Sequence, residues 1–201
     1  KTILRITAAA SLLVAASTFA QIDGSAHDFV GLGWNATGEI CAVCHTPHNG
    51  STVASVANSA PLWDREVSTA TYTVYTGPSG TFDASPGQPT GVSLLCLSCH
   101  DGTVGLDSFG GVTGNTTPIA GAALVGTDLG NDHPVSFTYD TALATADGGL
   151  EDPASVSAVS DLLFSGSVEC GSCHDVHNAG FDALLVMSNA NSALCTTCHN
   201  K

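Results

Sequence analysis

Four copies of one short pattern contain all eight cysteines of the chain. Each copy places two cysteines three positions apart, with a histidine directly after the second. Two thiols at that spacing on a helical turn can reach both vinyl groups of one porphyrin, and the adjacent imidazole then lies beneath the iron; Cys-x-x-Cys-His is the pattern of covalent haem attachment. In chain order we name the copies motif I (Cys41, Cys44, His45), motif II (Cys96, Cys99, His100), motif III (Cys170, Cys173, His174) and motif IV (Cys195, Cys198, His199). The sequence therefore predicts four molecules of haem c per chain.

Other uses of paired cysteines explain this pattern less completely. Zinc sites take Cys-x-x-Cys pairs, but zinc chemistry does not require a histidine after each second cysteine. A thioredoxin-like redox motif would occur once, beside a βαβ pattern that is not found in this sequence. Four disulfides suit a secreted protein but leave the four adjacent histidines unexplained. A zinc-stapled structural module would also be colourless, so the colour of the purified protein distinguishes it from a haem protein.

Four further histidines match the number of motifs: His27, His48, His133 and His177. Haem iron commonly takes histidine at its axial positions, so the equal count predicts a second histidine ligand on each iron. Met187 is the competing ligand and would raise the potential of one haem. Its apolar neighbours at 184–186 indicate packing instead.

The spacing of two of these histidines restricts what they can bind. His48 follows His45 by three residues, and His177 follows His174 by three. Residues three apart share one face of a helical turn, so the second histidine cannot reach the opposite face of its own haem. We expect His48 to bind the haem of motif II and His177 that of motif IV. His27 and His133 are then left for motifs I and III.

An internal duplication organises the chain. Residues 41–49 resemble 170–178, and a second motif follows each copy. The motif spacings are too unequal for a solenoid of fixed period. We expect a single tetrahaem domain over 21–201, divided into a haem pair (38–108), a linking segment that carries His133 (109–166) and a second haem pair (167–201).

The composition offers little material for a protein core. Aromatic residues make up 6% of the chain, charged residues 11%, and there are 22 glycines. Such a chain cannot offset the entropy of ordering with its own apolar surface, so porphyrins are expected to supply the missing apolar mass. The predicted fold class is mostly irregular coil with short α-helices and few short strands, wrapped around four covalently bound haems.

Few segments have the pattern of regular structure. Asp152-Pro153 is typical of an N-cap and a first helical residue, and the apolar spacing after it predicts a helix over 153–164. Residues 71–75 and 135–139 alternate as short strands do. Residues 110–126 are expected to form a loop. Short helical turns are expected to carry the four motifs.

The charge balance excludes several classes of partner. The formal net charge is −14, with 18 Asp and Glu against 4 Lys and Arg. Nucleic-acid binding requires cations that displace phosphate counterions, and an anionic membrane surface requires cations too. We therefore expect neither partner.

The first twenty residues have the pattern of a secretory signal peptide. Lys1 and Arg5 precede an apolar run, and Thr18 and Ala20 place small residues before a plausible cleavage site. The protein is therefore expected to be secreted, either extracellular or at the cell surface, or alternatively periplasmic. No membrane span is expected in the mature chain.

Several stretches resemble the multihaem c-type cytochromes of metal-reducing bacteria, in particular tetrahaem members that polymerise into extracellular filaments, or nanowires. They are residues 24–29, 41–49, 131–135 and 192–201. The resemblance implies stacked bis-histidine haems, coil-dominated protein and subunits joined end to end as a homo-oligomer. In such filaments an N-terminal histidine of one subunit can ligate a haem of its neighbour, and His27 is the position that matches this role.

Electron transfer without catalysis is the function that these patterns favour, since a six-coordinate iron has no vacancy for a substrate. A filament subunit and a soluble periplasmic carrier both remain open, with redox proteins or extracellular acceptors as partners. A reductase of nitrite or a related small molecule would need one iron without its second ligand. The count of eight histidines leaves no iron without one, unless His27 is not a ligand.

Overall fold

The computed structural model describes residues 21–48, 50–56, 59–78, 82–113 and 116–200. The predicted signal peptide lies outside these residues. Within the described ranges, no helix has the length and apolar character needed to cross a membrane.

Irregular backbone makes up most of the described chain, which confirms a fold of coil with short helices and few strands. Its regular elements are short because turns rich in Gly, Ser and Asp interrupt them. The α-helices are α1 (Gly91–His100), α2 (Thr141–Asp147), α3 (Ser157–Ser160) and α4 (Ala193–Cys198), and the strands are β1 (Phe137–Thr138) and β2 (Ser167–Val168). Single 3-10 turns lie at Cys41–Val43, Ala54–Val56, Gly121–Ala123, Cys170–Ser172, Asp182–Leu184 and Ala190–Ser192.

Strands β1 and β2 form a two-stranded antiparallel sheet, with Phe137 opposite Val168. This confirms a strand within residues 135–139. Phe137 and Val168 are buried together with Tyr139, Ala144 and Val159, and these five residues form one apolar cluster of the protein.

The strand predicted at 71–75 is wrong. Thr73 makes only an isolated bridge to Asp128. The amide of Gln88 takes the place of a partner strand, because its Oε1 accepts from the Tyr72 N–H at 2.8 Å and its Nε2 donates to the Tyr72 carbonyl at 2.9 Å. Tyr72 itself is buried with Leu94, Leu95 and Leu97 of α1 in a second apolar cluster.

The helix predicted over 153–164 is also wrong in extent, since α3 covers only Ser157–Ser160. Asp152 does cap a turn, accepting from the Ala154 N–H at 2.9 Å, and it also accepts from the Thr141 hydroxyl at 2.7 Å. Val156 then adopts an extended conformation (φ −117°, ψ 98°) and separates this turn from α3. In the described part of the loop predicted at 110–126, the helical element is the 3-10 turn Gly121–Ala123.

A buried hydrogen-bond cluster fixes the residues that follow motif II. Asp101, 4% exposed, accepts from the Tyr72 hydroxyl at 2.6 Å and from the Ser68 hydroxyl at 2.5 Å. Burial, followed by the hydrogen bond to Asp101, raises the pKa of Tyr72, so the phenol remains a donor across the physiological range. The cluster holds the end of α1, and with it His100, against the rest of the protein.

We expect Tyr72→Phe to lower the free energy of unfolding by about 1.5–3 kcal/mol, the range for hydrogen bonds to a charged group. The midpoint of denaturant unfolding of the haem-loaded protein measures this change. Tyr75→Phe is the matched control, because the Tyr75 ring packs edge-on against Phe82 at 5.0 Å and the substitution keeps that contact. Equal midpoints for the two variants would contradict the role of the Tyr72 hydroxyl.

Candidate haem sites

Each motif lies on a helical turn, as predicted. Motifs I and III begin 3-10 turns, motif II occupies the last turns of α1, and motif IV begins within α4. In motifs I, III and IV the N–H of the histidine donates to the carbonyl of the first cysteine at 2.9, 3.0 and 3.0 Å. This local winding is the geometry that two thioether bonds to one porphyrin require.

The histidines of motifs I, II and III are oriented in the same way. In each, Nδ1 lies within hydrogen-bonding distance of a backbone carbonyl, at 2.7, 2.7 and 2.8 Å. A ring that donates from Nδ1 presents the lone pair of Nε2, and such second contacts orient histidine ligands of metals. The accepting carbonyls belong to Pro61, Ala123 and Ala183.

Three motif histidines each face one of the other four histidines. The ring centroids are 6.0 Å apart for His27 and His100, 6.2 Å for His45 and His177, and 6.4 Å for His133 and His199. The angles between the ring planes are 46°, 26° and 74°. The spacing is therefore nearly constant while the stacking geometry is not.

This spacing fits an iron held between two imidazoles. A metal bound to a ring nitrogen at about 2.0–2.1 Å on each side separates the two centroids by roughly 6 Å once the ring radius is included. Stacking between aromatic rings would favour particular angles as well as distances. The residues present thus fit bis-histidine haem at motifs I, II and IV.

The pairing predicted from the spacing is wrong. His177 faces the histidine of motif I, not that of motif IV. Motif II, which was expected to take His48, is faced by His27, and His133 faces motif IV. The three-residue spacing shows only that such a histidine cannot bind the iron of the haem attached at the motif directly before it. Which other haem it meets depends on the path of the chain, including the hydrogen bond from the Gln21 N–H to the His177 carbonyl at 2.8 Å.

His48 and His174 are left over from these pairs. Both side chains are exposed, and across the described part of the chain no other histidine ring faces either of them. His174 nevertheless has the Nδ1 contact of a motif histidine. The structure therefore brings six of the eight predicted iron ligands into facing pairs.

The comparison with known families agrees with this donor set. Residues 164–201, which contain motifs III and IV, match the family described as Doubled CXXCH motif. The match indicates a multihaem c-type cytochrome. That motif supports covalent binding of haem c and a role in electron transfer. No curated protein matches the chain.

Burial keeps His27 in the form that can bind a metal. Burial, followed by the nearby His100, lowers the pKa of His27 to about 4, so the ring is neutral at pH 7. Its Nδ1 is buried without a hydrogen-bond partner among the described residues. A buried polar atom in that state is costly, and neutral imidazole is the form that binds a metal.

Successive motifs approach one another through their cysteines. A hydrogen bond between the Cys96 and Cys170 thiols raises the pKa of Cys96 and lowers that of Cys170, so motifs II and III are in contact. Burial raises the pKa of Cys44 to about 11, with a smaller contribution from Cys99. Burial, then Cys170 and Cys195, raises the pKa of Cys173. Motif II therefore lies beside motifs I and III, and motif III beside motif IV.

Some contacts at the sites could not be specified from the sequence. Trp63 packs edge-on against His45, with ring centroids 6.3 Å apart, and Phe29 packs against His27 at 5.6 Å. Aromatic residues of this kind indicate only apolar packing in a sequence. The carbonyls that orient the motif histidines have no side-chain signal at all, so sequence patterns cannot reveal them.

Proposed function

We propose that this protein transfers electrons along four c-type haems attached at motifs I to IV. The observation that carries the proposal is the nearly constant separation of about 6 Å between facing histidines at three motifs. When bound, haem c supplies a reversible one-electron iron couple. The cysteines of the motifs would attach the haem, and the histidines would bind its iron.

The contacts between motifs support a continuous relay. The cysteines of motif I lie within electrostatic range of those of motif II, and the same holds for motifs II and III and for motifs III and IV. His177 adds a further link, because it lies three residues after the histidine of motif III and faces the histidine of motif I. Every motif therefore has at least one neighbouring motif, as a relay requires.

A filament subunit is the form of this function that we propose, secreted to the cell surface or beyond. His48, a predicted iron ligand, and His174, the histidine of motif III, are both exposed on each subunit. No other histidine ring of the described chain faces either of them. Contact between His48 of one copy and motif III of the next is head-to-tail, and head-to-tail contacts that do not close build open filaments. His27 faces His100 of its own chain, so His48 replaces it as the proposed crossing ligand.

One observation is also compatible with two other functions. His45 and His177 already face each other. His48 lies three positions after His45, and His174 lies three positions before His177, so these two exposed histidines lie in the same region. If they share an iron within one chain, the protein is a soluble carrier. If motif III keeps an open iron instead, the protein is a reductase. The buried Arg65 is the only Lys or Arg between residues 21 and 200, so nothing steers an anionic substrate to such a site.

Intact-mass measurement on the purified protein is the first test, and four covalent haems per chain is the expected result. Two or fewer haems would end the proposal. Negative-stain images and resonance Raman spectra then separate the forms. Filaments with only six-coordinate haem support the filament subunit, six-coordinate monomers indicate the carrier, and monomers with one five-coordinate haem indicate the reductase.

A further inference from the structure

Arg65 is a cation in an unusual setting. It is 3% exposed, and its guanidinium donates to the carbonyls of Val43 and Leu106 from Nη1, at 3.1 and 3.0 Å, and to that of Gly105 from Nη2, at 2.8 Å. Its Nε has no hydrogen-bond partner among the described residues. The side chain also lies over the Phe109 ring, at 5.9 Å from its centroid.

Among the residues that the structure describes, no carboxylate lies within ion-pair distance of this charge. The ion pair found among the described residues joins His177 and Asp175 and does not involve Arg65. Arginine remains protonated in proteins, and removing an unpaired charge from water costs several kcal/mol. Neutral carbonyls stabilise the guanidinium but do not cancel its field. The charge therefore acts on whatever is bound beside it.

The guanidinium lies between motifs I and II. Val43 is inside the Cys-x-x-Cys sequence of motif I, and Gly105 and Leu106 follow motif II. Burial raises the pKa of the Cys99 thiol, and the nearby Arg65 charge opposes that shift. Asp101 acts on Cys99 as well, so motif II is exposed to charges of both signs.

Glu169 is the opposite charge at the next junction. It is 6% exposed and accepts from the Ser93 N–H at 3.3 Å and from the Ser136 hydroxyl at 3.0 Å. It acts on Cys96 of motif II and on Cys170 of motif III. Its hydrogen-bond partners among the described residues are neutral, so its field also persists.

We propose that Arg65 raises the reduction potential of the haem at motif I above those of the other haems, while Glu169 lowers that of the haem at motif III. A nearby positive charge stabilises the reduced iron, and the effect is strong where water is excluded. Electrons then rest preferentially at motif I. This inference depends on the proposed haem occupancy, which the haem count tests separately.

Spectroelectrochemical titration of the haem-loaded protein tests it, after intact mass has confirmed four haems in each variant. Arg65→Gln should lower the equilibrium constant of the highest-potential step about tenfold, equivalent to about 59 mV for one electron. Arg65→Lys keeps the charge and should restore most of the wild-type value. Glu169→Gln should move a lower-potential step upward. The step of motif I is identified by its loss in the Cys41→Ser/Cys44→Ser variant.

An unchanged highest step in Arg65→Gln, with four haems present, would overturn the inference. A shift in Arg65→Lys as large as that in Arg65→Gln would also overturn it, since the role would then be structural. If Arg65→Gln does not load four haems, the other two variants test the proposal. A lower-potential step that moves downward or does not move in Glu169→Gln rejects it. A tenfold loss in the equilibrium constant of the highest-potential step in Arg65→Lys also rejects it. A wild-type protein with fewer than four haems would instead count against the proposed function.

Discussion

His48→Ala is expected to convert filaments into single subunits that keep all four haems. His48 is exposed, and no histidine ring of the described chain faces it or His174, so the proposed contact between subunits is the ligand bond from His48 to the iron at motif III. Without that bond, the subunits lose a strong link at every junction. One haem in each chain should then become five-coordinate. Negative-stain images and resonance Raman spectra measure the two effects.

His27→Ala is the matched control for this experiment. The His27 ring faces His100 at 6.0 Å within the same chain, so its loss should open the haem at motif II while filaments remain. Both variants remove one imidazole and leave four attachment motifs, and both should therefore show one five-coordinate haem. Filaments that survive in His48→Ala but disappear in His27→Ala would reverse the assignment and restore His27 as the crossing ligand.

The chemistry of the sites could be predicted from the sequence because it depends on short-range spacing. Two cysteines three positions apart and the next histidine define an attachment site whatever the rest of the chain does, and the structure places each motif on a helical turn. The coil-dominated fold could be anticipated for a related reason, since the chain has few large apolar side chains to build long elements.

The pairing of ligands could not be predicted because it depends on the path of the chain. His27 lies 73 positions before His100 in the numbering and meets motif II only because the fold brings the two segments together, which no local pattern encodes. The strand predicted at 71–75 failed for a similar reason. The side-chain amide of Gln88, 16 residues away, satisfies the backbone of Tyr72, and an alternating pattern cannot indicate such a partner.

The buried charges also lay beyond sequence reasoning. In the sequence, Arg65 is a rare cation in an acidic chain, and Glu169 is one of many acidic residues. Only the fold shows that both are nearly inaccessible and lie at successive junctions between motifs. A buried charge shifts a nearby redox potential more than the same charge on the surface does, because water and ions screen it less.

His177→Ala distinguishes the observed pairing from the one predicted by spacing. The His177 ring faces His45 at 6.2 Å, so its loss should leave the haem of motif I five-coordinate and the haem of motif IV unchanged. Carbon monoxide binding to the reduced protein should rise from none to one equivalent per chain. Free imidazole should restore the six-coordinate spectrum, because it can occupy the space that the side chain leaves.

Removing an attachment site identifies the haem that has opened. In His177→Ala combined with Cys41→Ser and Cys44→Ser, the five-coordinate signal should disappear, since the open haem itself is absent. The same test with Cys195→Ser and Cys198→Ser should leave the signal in place. The reverse outcome would contradict the pairing seen in the structure. It would also remove the link between motifs I and III, because a His177 bound at motif IV would join the haems of the C-terminal pair only to each other.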